Sequence, residues 1–102
     1  MLSEPIVAPE ADAQIREIDA WWRTHHPAAP ELFCEELADA FLAIRTLPHM
    51  GRPVRHRQVK GLRRVLLRAT RYHAYYVVHR NAIFVLAVWS AVRGYGPPLR
   101  TG

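Results

Sequence analysis

The spacing of apolar residues changes once along the chain, and this change limits the folds that the sequence can adopt. Before residue 48, apolar residues recur at the spacing of one face of an α-helix. After residue 61, they alternate with other residues or form short runs, as in β-strands. A chain of 102 residues with 50% hydrophobic content suits one modest core. We therefore predict a single α+β domain that spans residues 1–102.

Two helices are predicted before residue 48. Pro9 fits the first turn of a helix, because its missing N–H would be unpaired there, and His25-His26-Pro27 ends that helix. The second helix opens at Pro30-Glu31 and ends at Pro48. A short strand at 5–8 precedes this predicted helical hairpin. The buried faces are expected to consist of Ala11, Ile15, Ile18 and Trp22, and of Phe33, Leu37, Phe41, Ile44 and Leu47.

Three strands are predicted after residue 61. Residues 48–61 contain two prolines and two glycines and have no regular period, so they are expected to form a connecting loop. The strands are placed at 62–69, 72–79 and 82–89, and Arg80-Asn81 should form a tight hairpin turn. The predicted architecture is an N-terminal strand, a two-helix hairpin and a three-stranded antiparallel meander packed on the helices. Residues 90–102, rich in glycine and proline, are expected to form a loose tail.

Strand alternation assigns the side chains of the meander to two faces. One face of the first strand should pack against the helices through Val65, Leu67 and Ala69. The other face then carries Arg64, Leu66 and Arg68, together with His73 and Tyr75 of the next strand. This outer face is expected to be a shallow surface of residue types that suit phosphates and bases. Ordinary strand packing of Tyr75 is an equally good interpretation.

Charge is distributed unevenly along the chain. Residues 1–39 carry a formal net charge of −7, whereas residues 40–102 carry +12 and contain no Asp or Glu. A positive surface without carboxylates attracts phosphates or an acidic protein segment. Thirteen of the fourteen basic residues are arginines, which bind either group through two parallel hydrogen bonds. A general role in solubility and the composition of a GC-rich genome are the alternatives.

Nothing in the sequence indicates a metal, a cofactor or a membrane segment. His25 and His26 are adjacent on a helix and point about 100° apart, with no further ligand at a suitable spacing. The longest uncharged run, at 81–92, has 12 residues and is too short to cross a bilayer as a helix. The lone Cys34 should be a packed thiol. Because residues 1–5 lack the features of a secretory signal, a cytoplasmic location is expected.

Five segments of the chain resemble members of the RelE/ParE superfamily of bacterial toxins, and ParE-like members in particular. The order of predicted elements is also that of this superfamily, whose members belong to type II toxin-antitoxin systems. The segments are Ala-Trp-Trp-Arg at 20–23, Pro-Ala-Ala-Pro-Glu-Leu-Phe at 27–33, Leu-Pro-His-Met-Gly-Arg-Pro-Val at 47–54, Arg-Tyr-His-Ala-Tyr-Tyr-Val-Val at 71–78 and Leu-Ala-Val-Trp at 86–89.

The resemblance implies a growth-inhibiting toxin that stabilises plasmids or chromosomal loci and is neutralised by a cognate antitoxin. The antitoxin would be acidic and of the ribbon-helix-helix type, and it would wrap its C-terminal segment around the toxin in a higher-order complex. ParE-like members poison DNA gyrase, whereas RelE-like members cleave mRNA in the ribosome. Residues expected to bind the target or the antitoxin are Arg63, Arg64, Arg68, Arg71, Tyr75, Arg93 and Tyr95.

A RelE-like mechanism would use Arg64, His73 and Arg93 as catalytic residues. Cleavage of RNA without a metal requires groups that activate the 2′-hydroxyl, protonate the leaving oxygen and stabilise the phosphate charge. The resemblance is partial here, because Leu66 and His73 stand where RelE-like members have a lysine and an arginine. Tyr95 is the nearest counterpart of their catalytic tyrosine, at a different spacing. These departures favour ParE-like gyrase binding, with an mRNA endonuclease and a non-toxic binding relative as alternatives.

Overall fold

The computed structural model describes residues 1–99, in which two helices pack against one face of a five-stranded sheet. The elements are β1 (Ile6–Val7), α1 (Pro9–His25), α2 (Leu32–Thr46), β2 (Arg52–Pro53), β3 (Arg63–Leu67), β4 (Tyr72–His79) and β5 (Ala82–Ser90). The strand order is β1-β5-β4-β3-β2, with β1 parallel to β5 and the other neighbours antiparallel. The predicted α+β architecture is confirmed, and residues 100–102 of the predicted tail lie outside the described residues.

Helix α1 begins at Pro9 and ends at His25, as the prolines at positions 9 and 27 predict. The helix starts at Pro9, and the backbone N–H of His26 donates to the carbonyl of Trp22 at 2.8 Å to close its last turn. Ala11 and Trp22 are buried, with Ile15 and Ile18 packed against the same core, so the predicted face is confirmed. The indole N–H of Trp22 donates to the carbonyl of Ala29 at 2.9 Å and thereby fixes the connection to α2.

Helix α2 buries most of its predicted face but ends earlier than the apolar pattern indicates. Phe33, Leu37 and Ile44 are buried, and Phe41 packs against them. The prediction for Leu47 was wrong, because the helix ends at Thr46 and Leu47 is 63% exposed. The backbone of Leu47 has left the helical region, at φ −128° and ψ 80°, so its side chain no longer follows the helix period.

The segment predicted as a plain connecting loop contains strand β2. Its two residues pair antiparallel with β3, Arg52 opposite Arg64 and Pro53 opposite Arg63. A strand of two residues is too short to show alternation, and proline is tolerated there because β2 forms the edge of the sheet. The antiparallel meander therefore contains a fourth strand in addition to the three that were predicted.

A β-bulge in β5 determines which side chains reach each face of the sheet. Tyr75 pairs with Ala87 but Tyr76 pairs with Val85, so Leu86 is the extra residue. Val85 and Val88 both belong to the core beneath the helices, although they are three positions apart. Ala87 is consequently turned to the outer face of the sheet. At the end of β3, Ala69 was predicted to face the helices, but it lies beyond the strand and is exposed.

Tyr76 and Arg63 fasten residues 48–51 to the sheet. The backbone N–H of Gly51 donates to the Tyr76 hydroxyl oxygen at 2.9 Å, and that hydroxyl donates to the carbonyl of Pro48 at 2.8 Å. The Arg63 guanidinium donates to the carbonyls of His49 at 3.0 Å and Gly51 at 2.8 Å. Burial raises the pKa of Tyr76, which keeps its hydroxyl protonated and able to donate. Strand β2 therefore starts from a fixed position.

Gly51→Ala should destabilise the protein by about 1–3 kcal/mol, because overpacking of a filled site forces its neighbours to move. A Cβ at residue 51 would lie 2.5 Å from the hydroxyl oxygen of Tyr76 and 2.7 Å from its ring atom Cε1. Urea unfolding of the purified chain measures the change. Gly94→Ala is the matched control, because a Cβ there has no atom within 4 Å. Equal effects of the two substitutions would show that Tyr76 does not restrict residue 51.

Candidate functional site

The outer face of the sheet is less open than the sequence predicts. Leu62, Tyr75 and Ala87 form a second buried cluster there, in which Tyr75 is only 4% exposed. Val59 from the segment before β3 and Leu99 from the tail pack against this cluster. The expectation of a shallow open surface is therefore wrong around Tyr75, because two segments without regular structure fold over it. A role for Tyr75 in binding stays a prediction.

Arg64 and His73 are diagonal neighbours on the outer face. Arg64 lies opposite Tyr75, and Leu66 lies opposite His73, in the pairing of β3 with β4. The half-buried His73 ring meets the Tyr75 ring edge to face, with centroids 5.9 Å apart. Burial, and then the positive charges of Arg64 and Arg71, lower the pKa of His73. His73 is therefore uncharged at neutral pH, where one ring nitrogen can donate and the other can accept.

Trp89 holds both residues of the predicted tail that were expected to bind a partner. The Arg93 guanidinium carbon lies 4.6 Å from the centroid of the Trp89 ring, a cation–π contact. The indole N–H donates to the carbonyl of Tyr95 at 3.0 Å, and the Tyr95 side chain remains 67% exposed. Because Trp89 is opposite His73, Arg93 lies near the same part of the sheet as Arg64 and His73. The start of the tail is thus in contact with Trp89 at two residues.

A groove of about 700 Å³ lies between α1 and the ends of β4 and β5. Its walls include Ile18, Trp21 and Val92, together with the cations Arg71 and Arg93. Trp21 is 48% exposed, and its ring stacks on that of His25 with centroids 4.2 Å apart. Sequence reasoning missed Trp21, although a large aromatic residue next to the predicted buried face was a usable signal. The groove combines an apolar surface with two arginines and one acid, Glu17.

The turn between β3 and β4 carries Arg68 and Arg71 and depends on a carboxylate of α2. Glu36 accepts hydrogen bonds from the backbone N–H groups of Ala69 at 2.7 Å and Thr70 at 3.0 Å, and from the Thr70 hydroxyl at 2.6 Å. Burial raises the pKa of Glu36, but these hydrogen bonds outweigh it and lower the pKa overall. Glu36 therefore fixes this turn.

Arg71 occupies a backbone conformation that the turn has to support. Its φ is 68°, in the left-handed region, and its N–H donates to the carbonyl of Leu67 at 2.8 Å. The Arg71 carbonyl accepts from the N–H of Ala91 at 2.9 Å, directly after β5. The backbone of Arg71 is thus held by Leu67 on one side and by the beginning of the tail on the other, and its side chain is exposed. Arg68, also exposed, lies just beyond β3.

The acidic residues of the helices are partly neutralised, but the basic residues of the sheet are not. Among residues 1–99, every ion pair joins Arg16 or Arg23 to an acid in the first 31 positions, and Arg23 contacts both Asp19 at 3.0 Å and Glu31 at 2.7 Å. The basic residues that follow Asp39 form no ion pair in this range. Arg63 is engaged by backbone carbonyls instead. The positive charge of the sheet is therefore available to a partner.

Cys34 is packed as predicted. Its thiol lies 3.1 Å from Oδ1 of Asp19, and burial together with that carboxylate raises the pKa of the thiol. The thiolate, which is the reactive form, is therefore scarce at neutral pH. Between Met1 and Leu99, no three His, Cys, Asp or Glu side chains are grouped so as to hold a metal ion. Neither helix in that range has the length and apolar character needed to cross a bilayer.

Comparison with known proteins places the chain in a recognised group. Residues 6–95 match a family model described as the ParE toxin of type II toxin-antitoxin system, parDE. The match begins at β1 and reaches Tyr95, so it includes both helices, all five strands and the start of the tail. No curated protein sequence matches the chain.

Glu36→Gln should destabilise the protein by about 1–2 kcal/mol at neutral pH, because an amide accepts hydrogen bonds from the turn more weakly than a carboxylate does. The pKa of Glu36 is lower in the folded chain than in the unfolded chain. The stability that the carboxylate contributes is therefore complete above the unfolded value of about 4.3 and is lost as the pH falls through the folded value.

Urea unfolding at pH 7 and pH 3 tests this prediction. The difference in the free energy of unfolding between wild type and Glu36→Gln should shrink at the lower pH. Glu35→Gln, at an exposed position one residue away, serves as the control and should have little effect at either pH. A difference for Glu36→Gln that stays constant between the two pH values would contradict the role of the ionised carboxylate.

Proposed function

The chain belongs to the ParE toxin family of type II toxin-antitoxin systems, and from this membership we propose that it inhibits bacterial growth by binding DNA gyrase until a cognate antitoxin neutralises it. The observation that carries the proposal is the positive charge of the sheet and tail, which no carboxylate among residues 1–99 pairs with. Such a surface attracts an anionic partner, whose binding releases the counterions that otherwise neutralise it. A cytoplasmic location and a role in stabilising plasmids or chromosomal loci accompany this proposal.

We infer that the anionic partner is an acidic, amphipathic segment of the antitoxin, and the groove beside α1 is the observation that supports this. Apolar side chains of the segment would lie on Ile18 and Trp21, while its carboxylates would pair with Arg71 and Arg93. A segment that is disordered alone can fold on such a surface, because the groove buries its apolar side chains and the arginines select its charge. The antitoxin is proposed to be of the ribbon-helix-helix type and to assemble with the toxin into a higher-order complex.

Binding of a target, and not cleavage, is supported by the surroundings of the three candidate catalytic residues. Leu66, which is 42% exposed, lies directly opposite His73 at a position where a further cation would be needed to stabilise a cleaved phosphate. Arg93 is stacked on Trp89. Tyr95 also contacts Trp89, through its backbone carbonyl and its ring. This arrangement favours a surface that recognises another protein.

Metal-independent cleavage of mRNA in the ribosome is the second candidate function, and one observation favours it. His73 is neutral at neutral pH and is a diagonal neighbour of Arg64. A neutral imidazole can remove a proton from a 2′-hydroxyl, and a nearby guanidinium can stabilise the resulting phosphate charge. A relative that has kept the binding surfaces but lost toxicity is the third candidate.

Expression of the chain alone in a bacterium with a sensitive target should arrest growth, cause double-strand DNA breaks and induce the DNA-damage response. Co-expression of a cognate antitoxin should restore growth. Unaffected growth in the absence of the antitoxin would count against a toxin. Arrest without DNA breaks, but with mRNA cut at ribosomal positions and abolished by His73→Ala, would replace gyrase binding by the second candidate function.

Trp21→Ala and Arg71→Gln should each weaken binding of the antitoxin by about 10- to 100-fold, the effect of losing an aromatic or arginine anchor at an interface. Isothermal titration calorimetry with the purified antitoxin measures the affinity. Arg80→Gln is the control, because Arg80 is exposed on the turn between β4 and β5 and does not line the groove. If all three variants bind equally well, the antitoxin uses another surface.

A further inference from the structure

Gln14 joins helix α1 to strand β5 inside the groove beside α1. Its side-chain oxygen Oε1 accepts a hydrogen bond from the backbone N–H of Val88 at 2.8 Å. Strand β1 pairs with β5 only at Phe84 and Val85, so it does not reach Val88. Val88 is 1% exposed, and its buried N–H therefore needs the acceptor that Gln14 supplies. The Gln14 side chain is half-buried and lines the groove.

The hydrogen bond to Val88 fixes the direction in which the Gln14 amide faces. A backbone N–H can only donate, so the oxygen of the amide must face Val88 and the nitrogen Nε2 must face away from it. Within residues 1–99, Nε2 has no hydrogen-bond partner, and no side-chain nitrogen or oxygen is both fully buried and without a partner. Nε2 is therefore accessible, and its two N–H donors open into the groove that Gln14 lines.

Tyr72 provides a second neutral donor in the groove. Its hydroxyl also has no partner in the described part of the chain, and it is accessible for the same reason. Burial raises the pKa of Tyr72 although the charge of Arg93 opposes the shift, so the hydroxyl stays protonated at neutral pH. Tyr72 lies opposite Ser90, two positions along β5 from Val88, and thus on the same face of the sheet. Both donors are unused in the free chain.

We propose that Gln14 is a specificity-determining residue of the groove, and that its amide N–H groups donate to an uncharged carbonyl oxygen of the bound antitoxin segment. The carbonyl can belong to the main chain or to an Asn or Gln side chain, since both offer the same acceptor. The inference rests on the proposed function, in which an antitoxin segment occupies this groove. It adds an uncharged acceptor to the apolar side chains and carboxylates already proposed for that segment.

Glu17 is the reason that the acceptor at Gln14 should be uncharged. The two residues are three positions apart on α1, so they are neighbours on one face of the helix, and both line the groove. A carboxylate of the partner placed at Gln14 would be repelled by Glu17, whereas a carbonyl would not. The carboxylates of the segment instead match Arg71 and Arg93, whose guanidinium groups bind them through two parallel hydrogen bonds.

Filling of the groove makes the Gln14 donors selective. Water bonds to them in the free chain, and a bound segment displaces that water. If the segment has no acceptor at this position, the N–H groups are left buried and unpaired, which costs free energy. A segment with a carbonyl at the right place avoids this cost. Gln14 therefore discriminates between segments that have similar apolar side chains and similar charge.

Solution NMR of the full chain, made by cell-free synthesis with ¹⁵N and titrated with the purified cognate antitoxin, tests the donor directly. The chain has two glutamines, Gln14 and Gln58, and one asparagine, Asn81, so three side-chain amide groups give signals. On binding, one Gln14 amide proton should shift downfield and exchange with water about tenfold more slowly. Gln58 and Asn81 are exposed, lie outside the groove and serve as internal references.

Gln14→Glu separates recognition from folding. A carboxylate oxygen can still accept from the Val88 N–H, so the melting temperature should change by less than about 3 °C. The variant loses both donors and adds a second negative charge beside Glu17, so it should bind the antitoxin about 30- to 100-fold more weakly in isothermal titration calorimetry. The control Ala13→Glu adds the same charge at an exposed position of α1 outside the groove and should change the affinity less than about threefold.

The possible results distinguish this inference from the proposed function. Antitoxin binding that leaves the Gln14 amide signals unchanged would show that Gln14 only holds α1 on β5, and equal affinities of wild type and Gln14→Glu would also overturn the inference. Both results would leave the proposed function standing. Absence of any antitoxin binding to the wild-type chain would overturn the proposed function and the inference together. The titration uses the wild-type chain, so it decides the question even if Gln14→Glu does not fold.

Discussion

The buried hydroxyl of Tyr76 connects the core of the protein to its outer surface. The Tyr76 ring is fully buried beneath the helices, and its hydroxyl is bonded on one side to Gly51 and on the other to Pro48. A phenol buried without partners would be costly, so this side chain both requires and fixes the loop that follows α2. Strand β2 starts from that loop, and Arg52 is brought opposite Arg64 as a result. A core residue thus positions charges on the far face of the sheet.

The elements that could be predicted are those whose signals are local. Pro9 specifies the start of α1, and the turn at Arg80-Asn81, with φ of 51° and 62°, has the left-handed backbone that a tight hairpin needs. Features that depend on distant contacts left no such pattern. Strand β2 consists of two residues, and the bulge at Leu86 is visible only from its pairing with β4. Leu47 fits the helix period, yet it is exposed because the chain has already turned away.

The residues of the candidate site also divide into those that the sequence indicated and those whose role depends on distant contacts. Residue types and the resemblance indicated Arg64, His73 and Arg93. The structure places Arg64 and His73 on the outer face and Arg93 on the ring of Trp89, which lies opposite His73. Arg63 and Tyr75 were predicted to bind a partner, and both also have a role in the fold, Arg63 by holding a loop and Tyr75 by filling the second cluster. Glu36 carried no signal at all, because its partners lie more than thirty positions away. Composition alone does not distinguish a cation that recognises a partner from one that holds a loop.

The separation of charge between the two halves of the chain also affects how the molecule meets other molecules. The helices carry the net negative segment and the sheet the positive one, so the protein is a strong electric dipole as well as a basic protein. In the electric field of an anionic partner, such a dipole rotates before contact, so that the sheet faces the partner and the helices face away from it. Orientation during diffusion removes unproductive collisions and makes the association rate fall steeply with ionic strength. The salt concentration therefore affects the rate at which this protein associates with an anionic partner, separately from the affinity of the complex.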